Sequence, residues 1–175
     1  MSASVTVVAL RGNNLKMIQL RDDVYQADQQ NGDVEAALLQ LRKYVYAHMN
    51  TDLSSGQGAV YPPIQLKYTY DRLKQAEQAR VKQATSQIYT DAQNYCEQQD
   101  PTSFSGRNRV PCIEAYVSEH KATEATIPDA LYKFDFISPK WSPDYAGISL
   151  LVSCLLLLLL ILRITAGRIL KRLTS

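Results

Sequence analysis

From about residue 10 to residue 120, apolar side chains recur every three to four positions, the spacing of one face of a helix. The first such face reads Leu10, Asn14, Met17, Leu20, Val24, Ala27 and closes at Asn31-Gly32, a pair suited to ending a helix. Asp33 stands where an N-cap is expected, with Glu35 near the positive end of a second helix. That helix reads Val34, Leu38, Leu41, Val45, His48 and is broken by Ser54-Ser55-Gly56-Gln57-Gly58. Tyr61-Pro62-Pro63 is expected to open the third and longest helix, running to Gln99, because proline is tolerated in a first turn. Its seam is Leu66, Tyr70, Leu73, Glu77, Val81, Ala84, Ile88, Ala92, Tyr95. Glu77 is the one charge on that seam, and Ala76 beside it is an alternative residue to turn inward. A loop rich in Ser, Gly, Asn and Arg over 100–109 leads to a short fourth helix expected from Pro111, with Ile113, Tyr116, Val117 and His120 on one face.

The pattern then changes twice. Over 128–144, Pro128, Pro139 and Pro143 oppose a helix, and Tyr132, Phe134 and Phe136 alternate with Lys133 and Asp135 at the period of a strand. Residues 145–162 form an 18-residue run with no charge and no polar face. As a helix it measures about 27 Å, close to the hydrocarbon thickness of a bilayer. Trp141 and Tyr145 fall where an interfacial aromatic belt is expected. The fold class read from these elements is all-α: an up-down helical bundle of three long helices and one short, then an extended segment, then a C-terminal transmembrane helix. The expected divisions are 11–127 for the bundle, 128–144 for the linker, 145–164 for the membrane helix and 165–175 for a basic tail. Residues 1–10, Met-Ser-Ala-Ser-Val-Thr-Val-Val-Ala-Leu, read as the end of a first transmembrane helix whose earlier part precedes them.

Charge adds an orientation. All 17 acidic residues and all but four of the 19 basic ones precede Tyr145. The four are Arg163, Arg168, Lys171 and Arg172, and no acidic residue accompanies them. The positive-inside rule then sets the tail in the cytosol and the bundle outside it. The alternative is a tail-anchored protein with a cytosolic helical domain. No basic stripe with interleaved aromatics favours nucleic acid.

Cys96 and Cys112 bracket the loop before the fourth helix. Outside the cytosol such a pair is expected to oxidise, and closing a loop of that length stabilises by about 3 kcal/mol on the chain-entropy model. Cys154 lies inside the apolar run and is expected only to pack there. A zinc site recruiting His48 or His120 lacks ligand spacing. Nucleophile, phosphate-loop and metalloprotease motifs are absent, and Asp22-Asp23 beside Arg21 reads as a solvated pair. The reading is therefore no enzyme, no catalytic residue, no metal and no cofactor. The expected partners are the lipid bilayer and either another protein or further copies of the chain, the latter through Ala84 and Ile88 of the long helix. The residues proposed for such contact are Tyr44, Tyr46, His48, Tyr61, Tyr68 and Tyr70, because tyrosine offers a large contact area at low entropy cost. An accessory subunit of an envelope enzyme is the alternative function.

The helix order over roughly 10–144 resembles the four-helix extracytoplasmic sensor modules of bacterial chemoreceptors and sensor kinases. The strings Leu20-Arg21-Asp22-Asp23-Val24-Tyr25, Tyr61-Pro62-Pro63-Ile64-Gln65-Leu66 and Pro128-Asp129-Ala130-Leu131-Tyr132 are similar to uncharacterised membrane proteins of candidate-phyla bacteria of the Saccharibacteria type. That resemblance implies a bacterial inner membrane and a second membrane helix upstream. It implies no activity and no site residues.

Overall fold

A computed structural model describes residues 2–54, 61–99 and 106–173. Over these residues the fold is all-α with two very short strands: α1 (Ser2–Gln30), α2 (Val34–Ala47), β1 (Ile64–Gln65), α3 (Lys67–Gln99), α4 (Gly106–Glu119), β2 (Lys133–Phe134) and α5 (Tyr145–Leu173). They sort into two compact units. One holds α1, α2, β1, β2 and α5; the other holds α3 and α4.

In the first unit the helix ends follow the local chemistry. Asn31 takes a positive φ of 53°, and Gly32 N donates to the Ala27 carbonyl at 2.9 Å, which closes α1. Asp33 caps α2 by accepting from Ala36 N at 2.9 Å. The chain leaves α2 at His48, earlier than the Ser-Gly stretch suggests. Asn50 turns with φ 61°, and the Thr51 hydroxyl donates to the Val45 and His48 carbonyls. The core joins Met17 and Val24 of α1, Leu41 and Val45 of α2, Leu53, Ile64 and Leu66. Full burial of each aliphatic side chain contributes on the order of 1.5–3 kcal/mol.

Two helix starts differ from the sequence reading. The long helix begins at Lys67, not at the prolines. Ile64 and Gln65 are a strand antiparallel to β2, with Ile64 opposite Phe134 and Gln65 opposite Lys133, and Leu66 N donates to the Tyr132 carbonyl at 2.8 Å. Ile64 and Leu66 point into the core while Gln65 is less covered, so period 2 prevails over the helical spacing that Leu66 also fits. A proline disfavours helical geometry in the residue before it, which helps keep this entry extended. The partner segment is the aromatic one: Tyr132, Phe134 and Phe136 lie against the same core. In the second unit, α4 already runs from Gly106, with Pro111 inside it. The expected loop is thus shorter, and its residues 100–105 lie outside the described residues. Ala92 and Cys96 of α3 are buried, and Cys96 stands at disulfide distance from Cys112 of α4, with Cα atoms 6.0 Å apart. Arg109 pairs with Glu97 at 3.1 Å beside that link.

Residues 128–144 are extended apart from a 3-10 turn at Asp129–Leu131. Helix α5 then continues past residue 164 to Leu173, so the basic residues ride on its last turns. Lysine and arginine are good helix formers and suit the negative end of a helix. Among the described residues, one helix is long and apolar enough to cross a membrane, Tyr145–Ile169. Only 17% of its most apolar window is covered by the rest of the chain. A core helix of a soluble fold would be mostly covered, whereas Leu155 to Leu162 stand exposed on all sides.

Candidate functional site

A dense polar constellation lies where α1, the turn after α2 and the start of α5 meet. Asp144 is its centre. Its Oδ1 accepts from Gly147 N and from Ser142 Oγ, each at 2.9 Å, and its Oδ2 accepts from Asn13 Nδ2 at 2.6 Å. Asp144 is therefore the N-cap of α5, and Ile148 N donates to its carbonyl at 2.9 Å. Buried Ser142 also accepts from Met49 N at 2.8 Å, and Asn13 Nδ2 reaches the Met49 carbonyl at 3.2 Å. Asn50 Nδ2 donates to the Leu10 carbonyl at 3.0 Å. Three chain segments are thus tied at one level of α1.

Burial works against a charge on Asp144. The hydrogen bonds from Gly147, Asn13 and Ser142, with a smaller electrostatic contribution from His48, outweigh it and hold the carboxyl below the ordinary aspartate value. Burial, and after it the negative charge of Asp144, pushes the Tyr44 hydroxyl up. Gly147 is required here because a Cβ would overlap the Ser142 carbonyl and press on the Trp141 indole nitrogen. An Asp directly before an apolar run is a helix-start signal that the sequence reading did not use.

Of the six residues expected to form one contact surface, four belong to the first unit and two to the second. Tyr44 and His48 stack with ring centroids 4.0 Å apart, and His48 Nδ1 lies 2.9 Å from the Tyr44 carbonyl. Tyr46 leaves α2 on another face, where its ring meets the edge of Phe136 at 6.3 Å and the Arg42 guanidinium lies over it at 5.5 Å. Tyr61 is largely exposed, and Tyr68 and Tyr70 belong to the first turn of α3 in the other unit. His120 repeats the His48 arrangement on α4: it stacks on Tyr116 at 4.1 Å with Nδ1 3.0 Å from that residue's carbonyl. Both histidines end a Tyr-Val-x-x-His string, Tyr44 to His48 and Tyr116 to His120, and both sit just past a helix C-terminus.

Of the expected anchors, Trp141 and Tyr145 are exposed at the head of α5, with Tyr145 at 90%. Arg163 and Arg168 are exposed further along, and Lys171 and Arg172 lie in its last turns. A groove of about 220 Å³ runs between α2 and the aromatic segment, with Leu38, Leu39, Phe134 and Phe136 as an apolar floor between Glu35 and Arg42. Phe134 and Phe136 thus serve the core on one side and an open groove on the other.

In the second unit, Glu77 explains its own place on the α3 seam. Arg80 holds both its oxygens at 2.7 Å, and Ala125 N donates to Oε1 at 2.7 Å. Arg80 also donates to the Thr123 carbonyl at 3.1 Å. The pair clips the chain after α4 onto α3, and Ala76 stays exposed. These bonds, the Arg80 side chain first and the Ala125 amide second, lower the Glu77 carboxyl to about 2.

Among the described residues, no group of three His, Cys, Asp or Glu is placed to hold a metal ion. The polar groups at the junction bond mainly to one another, an arrangement that fixes α1, the turn after α2 and α5 relative to each other. Comparison with protein-family models, with curated proteins and with solved structures finds no match.

Proposed function

We propose that this chain is a membrane-anchored, sensor-like helical module that works outside the cytosol through contacts rather than catalysis. The observation that carries the reading is α5: a helix of spanning length whose leucines are exposed all round and whose first turn is locked into a folded unit by Asp144. Exposed leucine on every face is costly in water and favourable in lipid. The basic residues on its last turns favour a cytosolic end for α5, and Cys96 and Cys112 suit an oxidising space for the rest. The groove of Leu38, Leu39, Phe134 and Phe136, with Tyr46 beside it, supplies an apolar contact area framed by Glu35 and Arg42. The resemblance in helix order and in the three quoted strings is the support for a bacterial inner membrane.

The test is made in intact cells expressing the full chain. An alkaline carbonate wash should leave it with the membranes. A thiol-reactive polymer should shift Cys96 and Cys112 only after reductant. Release by the wash refutes anchoring. Free thiols at both positions before reduction refute the extracytoplasmic placement. A photo-crosslinking residue at position 39 should give one discrete adduct that the same residue at exposed position 19 does not; equal patterns refute the contact surface.

A further inference from the structure

The first two turns of α1 carry an inverted pattern of exposure. Val5, Val7 and Val8 are exposed at 59%, 65% and 69%, while Thr6 between them is 5% exposed. In water this distribution is unfavourable twice over, since apolar groups face solvent and a polar one is withdrawn from it. In lipid it is the favoured one, because apolar groups face acyl chains and a hydroxyl facing a neighbouring helix can find a hydrogen-bond partner there. Thr6 has that partner: its hydroxyl lies 3.1 Å from the Ser153 hydroxyl of α5, and Ser153 is also buried.

The two helices are tied at two heights. Asn13 meets Asp144 at the head of α5, and Thr6 meets Ser153 further along it. From Asn13 back to Thr6 is seven residues, about 10 Å of helix, and from Asp144 forward to Ser153 is nine, about 13 Å. The helices therefore run antiparallel and side by side, with the N-terminal turns of α1 beside the part of α5 that leads away from its cap. Ala146 and Ser153 on the α5 face are small and buried, which suits close helix approach. Where the bilayer reaches Ser153 of α5, the first turns of α1 enter beside it.

We infer that residues 4–10 of α1 are embedded in the bilayer alongside α5, with Val5, Val7 and Val8 against acyl chains and Thr6 bonded to Ser153. This rests on the anchoring of α5 proposed above. The unit is then held by a two-helix membrane hairpin, and α1 is one unbroken rod from the lipid to the core residues Met17 and Val24. A shift of α1 against α5 in the membrane is transmitted to that core without an intervening hinge.

The experiment uses the full chain with Cys154→Ser, reconstituted in phosphatidylethanolamine/phosphatidylglycerol vesicles. Nitroxides are placed singly by Val7→Cys, Val8→Cys, Leu158→Cys and Gln19→Cys, and collision rates with oxygen and with a water-soluble nickel chelate are compared. Positions 7, 8 and 158 should favour oxygen over the chelate several-fold, and position 19 should show the reverse. Water-like values at 7 and 8 with a lipid-like value at 158 overturn the inference and leave α5 anchoring standing. Water-like values at 158 as well remove the anchoring and the inference with it. A Thr6→Cys, Ser153→Cys pair gives a readout without a bulky label. It should oxidise to an intramolecular link in the vesicles, and no link means the helices are not paired there.

Discussion

Asp144→Ala is the most direct challenge to the junction. Three donors converge on this one carboxylate, the Gly147 amide, the Ser142 hydroxyl and the Asn13 amide. Removing an N-cap costs about 1 kcal/mol. Asn13 and Ser142 each lose a charge-assisted partner but keep a second contact to Met49, so each is assigned about 0.5–1 kcal/mol. The expected loss is therefore about 2–3 kcal/mol. Trp141 is the one tryptophan of the chain and stands against Gly147, which makes its fluorescence a local reporter. Urea unfolding in detergent micelles should move the midpoint down by about 1 M or more at a slope of roughly 2 kcal/mol per M. Asp144→Asn preserves shape and one acceptor oxygen, so it should lose about half as much. The pH dependence has a defined sign. The folded carboxyl sits below its ordinary value, so its contribution is complete above that value and fades as pH falls through the lower folded one. The alanine variant should lack that acid-dependent component. An unfolding free energy within about 0.5 kcal/mol of the parent would refute the clamp, since it would mean the three donors find equivalent partners in water.

Two further outcomes follow from the same contacts. Gly147→Ala improves helix propensity by about 1 kcal/mol, yet it should destabilise in the same Trp141 assay because the added Cβ meets the Ser142 carbonyl; a rise in midpoint would show that the turn relaxes freely. Glu77→Gln should speed hydrogen exchange at the Ala125 amide. The parent should keep that amide protected as pH falls below the ordinary glutamate range, losing the carboxylate's contribution only toward about 2, where Glu77 protonates. Unchanged exchange in the variant would show that the segment is held by its apolar contacts alone.

What the sequence determined by itself is local. Periodicity marked the helices, Asp33 and Asn31-Gly32 marked two of their ends, and an uncharged leucine block marked α5, because caps and faces are decided by neighbours a few residues apart. The expected pairing of Cys96 and Cys112, which bracket the loop before the fourth helix, matches their disulfide distance. Tertiary structure decided what depends on distant partners. Leu66 fits a helical seam and a strand equally well, and only the facing segment at Tyr132 to Phe134 made it strand. Glu77 looked misplaced on its seam until Ala125 arrived to use it. Tyr44 and Tyr46 part because residues two apart on a helix face different ways, while Tyr68 and Tyr70 belong to the other unit. Along the chain, residues 1–10 read as the end of a membrane helix. The inverted exposure of Val5 to Val8 and the Thr6–Ser153 bond exist only once α1 lies against α5, since a hydrogen bond across 147 positions leaves no trace in either segment alone.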